Sequence, residues 1–206
     1  MMDGSDPRRH APAALRNREP ILDVLRRVLP ASGSVLEIGS GSGEHVTYFA
    51  AELPGLIWQP SDLDAGNLAS IAAYTAEAPL SNLRPPVSLD AASQPWPGAE
   101  PRDFAAVLCI NVIHIAPWSV CQGLLAGAAA TLRPSGLLIL YGPFMRDGRH
   151  TAPSNAAFDR TLKARDPRFG VRDLGNVEAD AGRHGFRLQD VVAMPANNLS
   201  VIFRLG

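Results

Sequence analysis

The sequence predicts an α/β fold, with a mostly parallel sheet, helices on both faces and an antiparallel hairpin at the C-terminus. Three observations point to it. Apolar runs of strand length alternate with segments of helical period along most of the chain. Phe104 to Ile110 is apolar at every position, as expected for a strand buried on both faces at the centre of a parallel sheet. The last two apolar runs are only about four residues apart, whereas a parallel crossover needs about a dozen or more, so the final strand runs antiparallel.

Taken in order, the first periodic segment is Arg18 to Leu29. Ile21, Leu22, Leu25, Val28 and Leu29 share one helical face, and Pro30 stops it. Ser34 to Ile38 is a short strand followed at once by Gly39-Ser40-Gly41-Ser42-Gly43, and Val46 to Leu53 reads as a helix closed by Pro54-Gly55. Leu56 to Pro60 is the second strand, ending in Ser61-Asp62-Leu63-Asp64. Asn67 to Ala78 is helical, and Val87 to Leu89 is a short third strand ending at Asp90. After the central strand come a helix from Trp118 to Leu132, a turn at Arg133-Pro134-Ser135-Gly136 and a strand from Leu137 to Tyr141. Gly142 to Asn155 is a long polar segment, expected to be a lid or acceptor wall or else a plain surface loop. Helices follow at Ala156 to Arg165 and Leu174 to His184, then the closing pair Phe186–Met194 and Leu199–Leu205.

The chain of 206 residues suits one sizeable domain. Its composition, 46% hydrophobic and 19% charged, excludes wholesale disorder. A formal net charge of −1 without a basic stripe argues against a polyanion partner such as nucleic acid. Of the 19 basic residues only Lys163 is lysine, a skew of coding composition, and the 18 prolines predict long ordered loops. Cys109 and Cys121 are too few for a disulfide framework or a cysteine-built metal site, and no metal is expected. No run approaches the ~20 apolar residues of a membrane span, so no membrane partner is expected. Met1 to Pro12 is polar and lacks the apolar stretch of a secretory signal. Residues 1–16 are therefore expected to be a flexible leader, 17–206 a single domain, and the location cytoplasmic.

In an open parallel sheet, ligands bind beyond the carboxyl ends of the strands. The first strand delivers Gly39, Gly41 and Gly43, whose missing Cβ atoms let the backbone turn and approach a ligand closely. The next strand end supplies Asp62, a carboxylate placed to accept both hydroxyls of a ribose. A nicotinamide site and an S-adenosylmethionine site share these features. A dinucleotide fingerprint requires glycine where Glu44 stands, and a carboxylate there repels a diphosphate. Glu37, two residues before Gly39, suits a ligand carrying an ammonium or sulfonium.

Val35-Leu36-Glu37-Ile38-Gly39-Ser40-Gly41-Ser42-Gly43 resembles the first motif of the class I S-adenosylmethionine-dependent methyltransferases. The terminal hairpin matches their Rossmann-like seven-stranded sheet. More narrowly, the chain resembles the methyltransferase-like 26 family in Asn17–Leu22, Trp58–Asp62, Asn111–Trp118, Tyr141–Phe144, Ser154–Asp159 and Pro195–Ser200. The resemblance implies S-adenosyl-L-methionine as cofactor. Gly39, Gly41 and Gly43 would lie beneath its methionine part, with Glu37 near its ammonium or ordering the loop. Asp62 would hold the ribose, Leu63 and Asp90 would meet the adenine, and Asn111 would border the transferring methyl. Asn17 and Arg18 would close over the donor carboxylate.

On the acceptor side, His114 is either a base for an acceptor hydroxyl or amine or a structural histidine bonding the neighbouring loop. His45 points at the donor or at solvent. Tyr141, Arg146, His150 and Asn155 in or beside the long polar segment, and Asn197 and Asn198 after the sixth strand, are the candidate acceptor-side residues, although an Asn pair also suits a turn needing positive φ. The motifs of base amino-methylation, cytosine carbon methylation and the nucleophile elbow are absent. The expected function is methyl transfer to a small-molecule acceptor, with oligomeric state open. The alternatives are a non-catalytic binder of the same donor or of a partner, and a NAD(P)-dependent reductase, which lacks a recognisable Tyr-x-x-x-Lys around Lys163.

Overall fold

The protein was analysed as a computed structural model, which describes residues 6–77, 80–99 and 102–206. Its main sheet contains β1 (Gly33–Ile38), β2 (Leu56–Asp62), β3 (Val87–Ser88), β4 (Phe104–Ile110) and β5 (Leu132–Gly142). The small strands β6 (Phe144–Arg146), β7 (Arg149–His150) and β8 (Arg172–Asp173) follow, then β9 (Phe186–Met194) and β10 (Asn198–Leu205). The helices are α1 (Pro12–Val28), α2 (Glu44–Glu52), α3 (Ala65–Glu77), α4 (Trp118–Thr131), α5 (Pro153–Arg165) and α6 (Leu174–Arg183). The seven-stranded sheet has the order β3-β2-β1-β4-β5-β10-β9. All its pairings are parallel except those of β10, which runs antiparallel to both β5 and β9. The fold class expected from the sequence is the one observed.

Side-chain alternation along the strands divides the core in two. Ala106, Leu108 and Ile110 of β4 face α1, α2 and α3, where Ile21, Leu25, Val46, Phe49 and Ile71 are buried. Val107 and Cys109 face α4 and α6, with Leu124, Leu125, Val177 and Ala181. Each fully buried aliphatic side chain contributes about 1.5–3 kcal/mol relative to exposure. The central strand therefore anchors both layers, and the strand ends on either side of it are held rigidly.

The structure departs from expectation in three places. Helix α1 begins at Pro12 rather than Arg18. Pro12 occupies the first helical turn, where a missing N–H costs nothing, and the buried stripe starts at Ala14 and Asn17, residues that do not read as apolar period. The segment before it is not a free leader. The Arg9 amide donates to Ser70 Oγ at 2.8 Å, the Ala11 amide to Glu44 Oε2 at 2.7 Å, and the Arg9 guanidinium to Asp64 Oδ1 at 2.7 Å. Residues 1–5 and Ala78, the last residue of the expected third helix, lie outside the described residues.

Second, part of the polar segment Gly142–Asn155 is a hairpin, not a loop. β6 and β7 pair antiparallel around Asp147-Gly148, and β6 also pairs with β8. Asp147 and Gly148 both have positive φ (52° and 70°), the requirement of a tight two-residue hairpin turn. Third, Arg133–Gly136 is not a turn outside the sheet. It is an irregular stretch within β5, where the register to β4 slips between Phe104 and Ala106.

Candidate functional site

The strand order reverses between β1 and β4, and their carboxyl ends open on one edge of the sheet. Two adjoining cavities lie there, of about 410 and 460 Å³, and Asn111 and Ala13 line both.

The loop after β1 forms the floor of the first cavity. It is fixed by hydrogen bonds from Ser40 N to Ser61 O (2.8 Å), from Gly43 N to Ser40 O (3.0 Å) and from Ser70 Oγ to Ser42 O (2.7 Å). Gly43 (φ 94°) is packed so closely that a Cβ would stand 2.9 Å from Ile71 Cα. Gly41 (φ 58°) differs, because a Cβ there would meet nothing within 4 Å. Gly41 thus presents bare backbone to open space, as a close-lying ligand requires.

Asp62, at the end of β2, is buried and accepts from Gly41 N through Oδ2 and from Asp64 N through Oδ1, both at 2.9 Å. Asp90 lines the opposite side and accepts from Ala92 N at 2.9 Å and Ser93 Oγ at 3.0 Å. Leu63, 65% exposed, stands in the cavity wall. Asn111 holds the left-handed backbone conformation (φ 61°) that asparagine tolerates best among residues with a Cβ, and its amide donates to Tyr141 O at 2.8 Å. Among the described residues, the wall contains the two acids Asp62 and Asp90 and neither lysine nor arginine.

Glu37 is not in that wall. It lies under the loop, 1% exposed, with Oε2 unpartnered. Burial pushes its carboxyl up to about 7, a hydrogen bond from Ser40 opposes this, and the charge of Asp62 adds to it. Its position corresponds to ordering the loop. Glu44, weighed in the sequence only as an obstacle to a diphosphate, accepts from Ser42 Oγ (2.8 Å) and Ala11 N and so ties the N-terminal segment to the loop. His45 lines the cavity, stacks on Phe49 and bonds Asn17 Oδ1 through Nε2 at 2.7 Å. Burial lowers its imidazolium to about 4, so the ring is neutral and Nε2 is the donor.

The second cavity is lined by Arg16 and Asn17 of α1, Tyr141 of β5 and the Pro195–Asn198 turn. Tyr141 Oη accepts from Asn198 Nδ2 at 3.1 Å, and burial raises its phenol above the usual value. Asn155 and Asn197 support this wall from behind. Asn155 Nδ2 donates to Asn197 O at 2.9 Å, and Asn197 Nδ2 to Ser154 Oγ at 3.1 Å. Of the Asn pair only Asn197 takes the positive φ of a turn residue, as does Ala196, while Asn198 is extended (φ −88°).

Eight expected site residues are in neither cavity wall: Glu37 lies under the glycine loop and Gly43 within it, Asn155 and Asn197 lie behind the second wall, and Arg18, His114, Arg146 and His150 lie elsewhere. Arg18 lies over the ring of Tyr48, 4.5 Å from its centroid. Arg146 and His150 sit on the β6–β7 hairpin, with His150 Nε2 3.5 Å from Asp159. His114 is fully buried behind Gly142 and packed edge-on against Phe144. Its carbonyl accepts from Gly170 N and its Nδ1 from Arg172 N, and burial lowers its imidazolium to about 3. It bonds the neighbouring loop, and the base reading has no path to the cavity. The turn from Val112 to Ile115 explains this: Val112 and Ile115 face the cavity and His114 points inward. Sequence reasoning missed Ala11, Ala13, Ala14 and Arg16, since small residues in a presumed leader carry no signal.

A family model described as a protein of unknown function, DUF938, matches residues 8–205. The fold is similar to solved methyltransferase structures. An O-methyltransferase family protein from Burkholderia thailandensis superposes with a TM-score of 0.76 at 17% identity, covering 94% of this chain and 57% of its own. Human N-acetylserotonin methyltransferase in complex with S-adenosylmethionine gives 0.77 at 15%, covering 94% and 53%. Mitomycin 7-O-methyltransferase gives 0.78 at 14%, covering 94% and 54%. The chain spans little more than half the length of each. The likeness establishes a Rossmann-like methyltransferase fold.

Proposed function

We propose, from the premise that the chain belongs to the DUF938 family and carries the paired cavities described above, that it is an S-adenosylmethionine-dependent methyltransferase acting on a small-molecule acceptor. The observation that carries this reading is the first cavity: bare backbone at Gly41 beside Asp62 and Asp90, with no cationic side chain in the wall. A diphosphate would find two carboxylates and no counter-charge, which disfavours a dinucleotide. A positively charged sulfonium donor with ribose hydroxyls and an adenine amino group fits the same set. The motifs shared with the methyltransferase-like 26 family support the reading. So does the similarity to a human methyltransferase solved with that donor.

Asp62 and Asp90 would hold the ribose and the adenine amino group, Leu63 would cover the ring, and Gly41 would lie under the methionine part. The bound donor supplies a methyl group on a positively charged sulfur, which accepts the electron pair of the broken bond. Asn111 borders both cavities and orients the two reactants along one line. Tyr141, with the Asn198 amide donating to its oxygen, keeps its own O–H to fix the acceptor. Catalysis then comes from alignment and exclusion of water, with His114 as a supporting residue. The buried free thiols Cys109 and Cys121 suit a reducing compartment, so the reading includes a cytoplasmic location.

Calorimetric titration with S-adenosylmethionine, S-adenosylhomocysteine and NAD(H) tests the assignment. Micromolar binding of the two sulfur ligands is expected. Tight NAD binding with no response to either would overturn it. Transfer from labelled donor to a metabolite extract then separates an enzyme from a binder, which would bind the donor and label nothing.

A further inference from the structure

The two cavities carry opposite charge. Among the described residues, the first presents Asp62, Asp90 and the neutral His45 but no lysine or arginine; the second presents Arg16 and no acid. Arg16 is exposed on the second turn of α1 and forms no salt bridge among the described residues. Its neighbours in sequence behave differently. Arg8 pairs with Asp6 and Glu77, Arg9 with Asp64, Arg26 with Glu52, and Arg18 is stacked on Tyr48. The remaining polar groups of the second cavity are Asn17, Asn111, Tyr141 and Asn198, and the Asn198 amide N–H groups are already engaged by Tyr141 Oη and Pro195 O. Asn17 Oδ1 is taken by His45, and Tyr141 Oη already accepts from Asn198, so the phenolic hydrogen is left for a ligand. At about 460 Å³ the cavity is in the range of small-molecule sites.

We infer that the second cavity is an anion-recognising acceptor site, in which Arg16 binds a carboxylate or phosphate of the acceptor and Tyr141 donates to an oxygen on its reacting side. This rests on the methyltransferase reading only in calling the ligand an acceptor; the anion selectivity follows from the cavity itself. A guanidinium without a salt-bridge partner beside a hydroxyl donor makes charge-assisted hydrogen bonds to an anion and leaves a neutral analogue with only the weaker hydroxyl bond. It also sets the acceptor's orientation. The anionic end lies at Arg16, towards the mouth, and the reacting end lies inward near Asn111, where the cavities meet.

The test is ligand retention, which requires no turnover. Protein saturated with S-adenosylhomocysteine is mixed with a metabolite extract split on an anion exchanger into an anionic and a neutral-plus-cationic pool. The complex is desalted and its released small molecules are identified by mass spectrometry. Retention from the anionic pool is expected, falling at least tenfold in Arg16→Ala and partly restored in Arg16→Lys. S-adenosylhomocysteine should be retained equally by all three proteins. Arg16 is solvent-exposed on a helix, and the equal retention of S-adenosylhomocysteine also reports that each variant is folded. Retention from the neutral pool, retention from neither, or anion retention indifferent to Arg16→Ala would each overturn the inference. Loss of S-adenosylhomocysteine from the wild-type protein with Arg16-dependent anion retention intact would instead overturn the donor assignment and leave the anion site standing.

Discussion

Alanine at Gly41 and at Gly43 should have opposite balances of stability and binding. Both glycines have left-handed backbones, φ 58° and 94°, and an L-residue there costs about 1–2 kcal/mol. For Gly41 that is the whole cost to the free protein, since the added methyl meets nothing within 4 Å. In a domain of this size it lowers Tm by about 2–8 °C. The Gly43 methyl would also stand 2.9 Å from Ile71 Cα, a backbone atom of α3 that cannot swing aside. Overpacking adds about 1–3 kcal/mol there, so Gly43→Ala should lose roughly twice as much or more. Ligand binding should rank the other way. The Gly41 methyl occupies the space a donor needs, and a comparable 1–3 kcal/mol expressed in binding weakens S-adenosylhomocysteine by about five- to hundredfold. Thermal unfolding and calorimetry on the two variants read both quantities. Gly41→Ala binding as tightly as wild type would refute the loop as the donor cradle. Equal Tm losses at the two positions would refute the packing argument.

Other outcomes follow from the same geometry. Asp62→Ala should weaken S-adenosylhomocysteine about tenfold or more, from lost charge-assisted hydrogen bonds worth about 1.5–3 kcal/mol. His114→Gln, outside both cavities, should leave that affinity within about twofold; calorimetry showing equal effects would contradict the division of roles. Glu37 has its folded pKa raised to about 7, so it binds its proton more tightly when folded. Its contribution is full below about 4.5 and lost as pH rises through 7, roughly 3 kcal/mol in all. Denaturant unfolding of Glu37→Gln should lack that slope; a wild-type curve parallel to the variant's across pH 4.5–7.5 would contradict it. His45 and His114 have folded values lowered to about 4 and about 3, so they stabilise above pH 6.5 and lose that contribution as pH falls towards those values. Replacing either with glutamine should flatten the acid limb of the same unfolding curve, and an unchanged acid limb in both variants would remove burial of neutral imidazoles as its cause. Between pH 4.5 and 6.5 the Glu37 and histidine slopes oppose each other, so the single variants are needed to see them.

The sheet was readable because its central strands are buried on both faces and appear as continuous apolar runs, while the three-residue link between β9 and β10 admits only one relative direction. The donor side of the site followed from topology. Asp62, Asp90 and Asn111 lie at or just beyond successive strand ends, and parallel strands bring those ends to one edge. Residues further from a strand end were not fixed in this way. His114 lies only four residues beyond Ile110, but the Val112–Ile115 turn decides which side chains face the cavity, and a single sequence does not encode that turn as a pattern. The β6–β7 hairpin did carry a local signal, Asp147-Gly148, masked by the polarity of its flanks. The N-terminal segment carried none. Its partners Ser70, Asp64 and Glu44 are 33 to 61 residues away, so the segment is ordered by tertiary contact alone.

That segment also explains why a near-neutral chain can hold two sharply polarised cavities. Net charge sums over the surface, whereas a binding site responds to the few charges in its wall. Here α1 and the residues before it form the shared wall. Ala11 and Ala14 close the acidic cavity with uncharged side chains, Ala13 lines both cavities, and Arg16, one turn on, brings the single base of the second. Two acids near this stretch are already engaged. Glu44 is bonded by Ala11 and Ser42, and Asp64 by Arg9, leaving Asp62 and Asp90 facing one cavity and Arg16 facing the other. A cationic donor and an anionic acceptor would each meet opposite charge in its own cavity, and each would be disfavoured in the other's. On this proposal, selectivity between the two sites would depend on the placement of one helix, whose position is set by its buried apolar face and by hydrogen bonds from the residues before it to the glycine-loop side of the sheet.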